Sequence, residues 1–117
     1  MRHKKLRRKL SRPSQQRKAL LRSLLIALFS HQKIVTTTPR AKEVKKIADK
    51  IITLAKTGDL HSRRQVLRII PDKKLVKEIF EKIAKEVGDR RGGYTREIKY
   101  GTRRGDGASL SLVEIVK

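Results

Sequence analysis

Apolar and polar positions along this chain change period several times, and each change marks an element. After Pro13 and Ser14, Ala19, Leu20, Leu21, Leu24, Leu25, Ala27 and Leu28 form one apolar face, with Arg17, Lys18 and Arg22 mostly beside it. Proline suits a first helical turn and pushes the residue before it out of helix, so a helix opens here, capped by Arg12 or Ser14. Lys33 to Thr37 is rich in β-branched residues and predicts a strand. Thr38 and Pro39 open a second helix with Ala41, Val44, Ala48, Ile51 and Ala55 at helical spacing. Ile47, Ile52 and Leu54 widen that stripe, and Gly58 stops the helix. Asp59 caps a short third helix carrying Leu60, Val66, Leu67, Ile69 and Ile70, closed by Pro71. Asp72 caps a fourth, with Val76, Ile79, Phe80, Ile83, Ala84 and Val87, ended by Gly88.

The last quarter reads differently. After Gly92 and Gly93, the positions Tyr94, Arg96, Ile98 and Tyr100 alternate with Thr95, Glu97 and Lys99, as in a strand. A glycine-rich basic loop, residues 101–107, turns the chain into a final strand from Ser109 to Val116. The expected fold is therefore α/β in the α+β sense: four helices packed on a small three-stranded mixed sheet. Ahead of it, residues 1–12 form a basic arm with little apolar content and no helical stripe, too poor in burial to offset its ordering entropy. The division is an arm, 1–12, and a single globular domain, 13–117.

Charge changes the picture most. The 117 residues carry 32 Lys and Arg against 11 Asp and Glu, a formal net charge of +21. No acid occurs before Glu43. That much like charge repels itself in a compact body, and a polyanionic partner is the natural remedy. Cysteine is absent, which excludes disulfides, thiol nucleophiles and cysteine-ligated zinc. The basic start followed by Ala19 to Phe29 imitates a secretory signal. Arg22 interrupts the run, no small-residue cleavage site follows, and the run is shorter than the ~20 residues that span a bilayer.

Catalysis finds few openings. His3, His31 and His61 are far apart and in no metal-ligand spacing, so a structural or interfacial role is favoured for each. Glu78 with Lys82 and Glu81 with Lys85 have the spacing of helix-surface pairs. The loop at Gly101 and Gly105 lacks the lysine-serine or lysine-threonine ending of a P-loop, and a strand rather than a helix follows it. Arg104-Gly105-Asp106 spells an integrin-type tripeptide, discounted as chance in a basic, cysteine-free chain. No enzyme, cofactor, catalytic residue or metal site is expected.

Nucleic-acid binding is supported from several sides. Lysine and arginine neutralise phosphates and release counterions, and arginine grips phosphate with a planar fork. Candidate RNA contacts are Arg2, His3, Lys4, Lys5, Arg7, Arg8, Lys9 and Arg12 in the arm, then Arg17, Lys18 and Arg22 on the first helix. Arg40 and Lys42 near a helix start, Arg63 and Arg64, Arg90 and Arg91, Arg96, and Arg103 and Arg104 complete the cationic set. Tyr94 is open to two readings, stacking on a base or filling the core. RNA is favoured over DNA because no helix-turn-helix, zinc finger or basic zipper is present. A nucleoid-associated DNA protein is the rival on composition alone.

A resemblance narrows the choice. Met1-Arg2-His3, Arg17-Lys18-Ala19, and Thr36-Thr37 with Pro39 before Ala41-Lys42-Glu43 resemble the bacterial family of large-subunit ribosomal proteins numbered seventeen. So do Leu54-Ala55-Lys56, Arg63-Arg64, Gly92-Gly93-Tyr94-Thr95-Arg96, and Gly105-Asp106-Gly107-Ala108 with Val113-Glu114, so the likeness runs the whole length. It implies an α/β fold, one copy per large (50S) subunit, and direct binding of large-subunit ribosomal RNA. It also implies a place on the peptide exit side beside other large-subunit proteins, in the bacterial cytoplasm, with no membrane and no small-molecule substrate. Mitochondrial members carry extra sequence, whereas this chain begins directly with the arm. From Lys5 to Arg12 the arm is more densely basic than the family pattern, so its individual contacts do not carry over.

Overall fold

The structure, a computed structural model, describes residues 14–116. Its elements in order are α1 (Ser14–His31), β1 (Lys33–Thr37), α2 (Thr38–Thr57), α3 (Leu60–Ile69), α4 (residues 73–87), β2 (Thr95–Thr102) and β3 (Ser109–Ile115). The predicted order α, β, α, α, α, β, β is the observed one. Both aspartate caps form: Ser62 N donates to Asp59 Oδ1 at 2.7 Å, and Leu75 N to Asp72 Oδ1 at 3.2 Å. Gly58 ends α2 at φ 75°, in the left-handed region, with its N–H donating to Leu54 O. Between α1 and β1 the same conformation falls on a non-glycine residue, Gln32 (φ 66°). Its N–H donates to Leu28 O, and its carbonyl accepts from Ile115 N at 3.0 Å, so the sharp turn is tied directly to the sheet.

Everything is built around α2. Ala41, Val44, Ala48, Ile51, Ile52 and Ala55 are buried along it, and it touches α1, α3, α4 and all three strands. Three of these are alanines spaced seven apart, which lets neighbouring backbones come close. Leu25, Leu28 and Phe29 of α1 join the core. The stripe predicted for the first half of α1 does not: Ala19 is exposed, and Leu20, Leu21 and Leu24 are only half-buried. Burial is confined to the last turns, because those are the turns that lie against β1 and α2.

In α4, an α-helical start (Lys73–Glu78) widens into a π turn (Ile79–Ile83) and narrows again (Ala84–Val87). The mark of the wide turn is Ala84 N–H donating to Ile79 O, five residues back. Spacing explains it. Ile79, Ile83 and Val87, all buried, recur every four residues. An α-helix turns about 100° per residue, so such a run drifts roughly 40° per step off the core-facing side. One wide turn reverses the drift. Glu78, Glu81, Lys82 and Lys85 all lie on the exposed side of this helix. The helix-surface ion pair seen in α2 is Glu43 with Lys46, at 3.6 Å.

The sheet order is β1-β3-β2. Contrary to the expected mixed sheet, both pairings are antiparallel, as Val35↔Leu112 and Ile98↔Leu112 illustrate. The short hairpin makes β2 and β3 antiparallel, and the three-helix excursion after β1 returns the chain so that β3 runs opposite to it. The parallel pair, β1 and β2, never meets. Thr36, Ser111, Val113, Ile115 and Thr95 turn inward and are buried. Polar ties fasten the sheet to α2 and its strands to each other. Thr95 Oγ1 donates to Asp49 Oδ1 at 2.9 Å, Thr38 and Ser111 hydroxyls meet at 2.9 Å, and Ser111 Oγ donates to Glu97 Oε2 at 3.0 Å. The opposite face leaves large apolar groups exposed: Val35 (45%), Ile98 (42%) and Tyr100 (63%). At Tyr100 the β2–β3 register slips between Lys99 and Gly101, a β-bulge on the edge strand.

Two substitutions test this account. Ile51→Ala removes a fully buried side chain at the centre of α2 and should cost about 2–5 kcal/mol in a denaturant titration. Asp49→Ala strands the buried Thr95 hydroxyl and should cost about 1–3 kcal/mol with little change in the denaturant slope.

Candidate nucleic-acid interface

The acids are mostly committed inside the fold, and that shapes the surface. Asp59 and Asp72 cap helices, Asp49 ties β2 to α2, Glu97 accepts from Ser111 within the sheet, and Glu43 pairs with Lys46. Glu114 accepts from Arg96 across the β2–β3 ladder, with Arg96 Nε at 2.8 Å. Asp106 takes Arg103 at 2.6 and 3.1 Å and also accepts from Ala108 N at 3.2 Å. The hydrogen bond from Ser62 lowers the Asp59 carboxyl below its ordinary value. The Arg103 hydrogen bond, then that of Ala108, lowers Asp106 from 3.8 to about 2. In return the Asp106 carboxylate raises Arg103 above its usual value.

Arg96 and Arg103 are therefore partly neutralised within the chain, whereas Arg104 lies at the exposed tip of the same loop. On α1, Lys18 and Arg22 are exposed and Arg17 is half-buried. Arg40 is half-buried and Lys42 exposed in the first turns of α2. Arg63 of α3 lies over the Phe80 ring, 5.1 Å from its centroid, and Arg64 is exposed beside it. Arg90 and Arg91 follow α4 in an exposed loop whose Arg90 carbonyl accepts from Lys56 Nζ. The arm residues Arg2, His3, Lys4, Lys5, Arg7, Arg8, Lys9 and Arg12 lie outside the described residues.

Tyr94 belongs to the core. Its ring is only 3% exposed, with Lys56 Nζ 5.1 Å from the centroid, so the stacking reading gives way to the packing one. β2 accordingly begins one residue later, at Thr95, and Tyr94 O accepts from Val116 N at 2.7 Å. The exposed tyrosine is Tyr100.

Two depressions gather cations that the linear sequence keeps apart. One, about 350 Å³, brings Lys18 and Arg22 of α1 to Arg68 of α3. The other, about 430 Å³, has Lys42, Lys45 and Lys46 of α2 facing Asp49 and Glu97. Lys45, Lys46 and Arg68 were not singled out by sequence. The helical spacing of Lys42, Lys45 and Lys46 was a usable signal, but nothing local announces that Arg68 meets α1. Among the described residues no group of His, Cys, Asp and Glu could hold a metal ion, and no helix is long and apolar enough to cross a membrane.

This cation-rich, acid-spent surface agrees with what related sequences show. The family model of ribosomal protein L17 matches residues 20–116. The chain belongs to the ribosomal protein L17 family. A large ribosomal subunit protein bL17 of Dictyoglomus thermophilum is 55% identical over 116 residues, covering 99% of this chain and all of that protein. The bL17 proteins of Caldanaerobacter subterraneus (55%) and Clostridium botulinum (54%) match over 109 residues, 93% of this chain and 97% and 96% of theirs. As an L17-family member the chain is a ribosomal protein, a structural constituent of the translation machinery and not an enzyme.

The Arg103–Asp106 pair supplies a check on the loop geometry. A carboxyl held down to about 2 contributes its charged form above its ordinary value of 3.8 and loses it as pH falls toward 2. NMR titration of the Asp106 carboxyl should give a midpoint near 2, and Arg103→Gln should move it back toward 3.8.

Proposed function

We propose that this chain is a structural constituent of the bacterial large ribosomal subunit that binds its ribosomal RNA through the basic arm, residues 1–12, and the cationic clusters of the body. The observation that carries the proposal is the asymmetry of the charges. Seven of the 11 acids are taken up by caps, sheet ties and ion pairs, while Lys18, Arg22, Lys42, Arg64, Arg91 and Arg104 are exposed. Each cation set against a phosphate displaces condensed counterions, giving affinity without sequence reading. Arginine pairs in loops and at helix ends add backbone amides to that grip. The arm, acid-free and almost without apolar groups, brings cations to several RNA strands with few residues.

The names of the relatives support the large subunit as the destination. In that assembly the chain sits in the bacterial cytoplasm, on the peptide exit side, beside other large-subunit proteins, and contributes by fixing RNA helices relative to one another. It needs no cofactor.

Salt dependence tests the mechanism. Affinity for large-subunit ribosomal RNA should fall with a log–log slope of roughly −0.7 to −0.9 per phosphate neutralised. Deleting residues 1–12 should flatten that slope by about six phosphate contacts' worth, and Arg64→Gln by about one. An unchanged slope in the deletion rules the arm out. Equal affinity for duplex DNA favours the nucleoid reading instead.

A further inference from the structure

Lys18 and Arg22 stand four residues apart on α1, a like-charge spacing that a helix does not favour, and Arg68 of α3 joins them at the same cleft. Among the described residues no acid lines the cleft. Its remaining walls are apolar: Leu21 and Leu25 from α1, Ile47 from α2 and Ile69 from α3, with Leu25 buried and the others half-buried. Arg22 is anchored at the rim, because its Nε donates to Ile69 O at 3.2 Å. That bond uses one of the five N–H donors of a guanidinium and leaves a forked edge for an anion. A cleft of about 350 Å³ falls within the range of small-ligand sites, about 300–1,000 Å³.

An apolar floor under a purely cationic rim calls for a ligand that is flat and apolar at one end and anionic at the other. We propose that this cleft receives one unpaired nucleotide of RNA, its base against Leu21, Ile47 and Ile69 and its phosphate on Arg22 and Arg68. The inference rests on the RNA-binding reading and names a site within it. Unpaired bases splayed from loops and bulges are what RNA offers for such capture, whereas paired bases keep their faces stacked. The competing occupant is the chain's own arm, whose Leu6 and Leu10 are apolar. Charge disfavours it: the arm carries Lys4, Lys5, Arg7, Arg8 and Lys9 and would bring cations to a cationic rim.

The test uses the full chain with labelled Leu and Ile methyl groups, titrated with 5′-adenosine monophosphate and, separately, with inorganic phosphate. Adenosine monophosphate should shift the methyl signals of Leu21, Ile47 and Ile69, and Arg68→Gln should weaken that response. Phosphate should leave those methyls in place. Equal shifts with phosphate, no shift with either, or nuclear Overhauser contacts from Leu6 or Leu10 to the cleft methyls would each overturn the proposal. A second variant, Leu21→Trp, fills the cleft from a half-buried position while keeping every cation. It should lower affinity for large-subunit ribosomal RNA about tenfold with an unchanged melting temperature. Undiminished affinity in Leu21→Trp also overturns the nucleotide site. If salt-sensitive, arm-dependent RNA binding persists in that case, the broader RNA reading stands without it.

Discussion

Burial of one face of α2 against three other helices and all three strands is the constraint from which the rest follows. Its apolar stripe meets three other helices and a sheet, and Ala41, Ala48 and Ala55 keep those neighbours close. It covers the inner face of the three-stranded sheet, joined there by α1 against β1 and β3. α4 packs on α2 mainly through its second half, and the wide turn at Ile79–Ile83 is how a four-residue apolar repeat stays in phase there. α1 needs only its final turns for packing. Its first half is thereby released to carry cations, and the cleft beside Arg22 exists because the apolar side chains there are not fully covered.

Acidic side chains are scarce, and their placement divides the molecule by task. Seven of the 11 do structural work: a cap, a tie in the sheet, or an ion pair. Cations that meet those acids, such as Arg96 and Arg103, shape the hairpin. Cations that do not are left to seek charge elsewhere. The fold thus separates internal electrostatics from external with only 11 acids to 32 bases.

How much of this could be read from the residues depends on the range of the interactions. Element order, both aspartate caps and the glycine stop at Gly58 are local chemistry, and the sequence announces them. The strand directions, the half-exposed start of α1 and the widened α4 depend on what packs against what, and local periodicity is silent on that. Tyr94 and Tyr100 make the point sharply. They occupy equivalent places in an alternating pattern, yet one lies under Lys56 in the core and the other is exposed at a bulge. The cationic loops and the three lysines of α2 were visible as composition. The meeting of Arg68 with α1 was not, since 46 residues separate Arg68 from Arg22 and only the tertiary fold joins them.

The uncovered face of the sheet bears on how the protein behaves when it is parted from RNA. Val35, Ile98 and Tyr100 lie open there, and what keeps two copies from meeting through them in dilute buffer is mutual repulsion of like-charged bodies. Releasing such a protein from a polyanion takes concentrated salt, and at 1 M the reach of a charge shrinks to about 3 Å. The same solution that frees the chain therefore removes its colloidal protection. Solubility and release pull in opposite directions, and the bulge at Tyr100, which distorts one sheet edge against strand-to-strand growth, is the safeguard that salt does not screen.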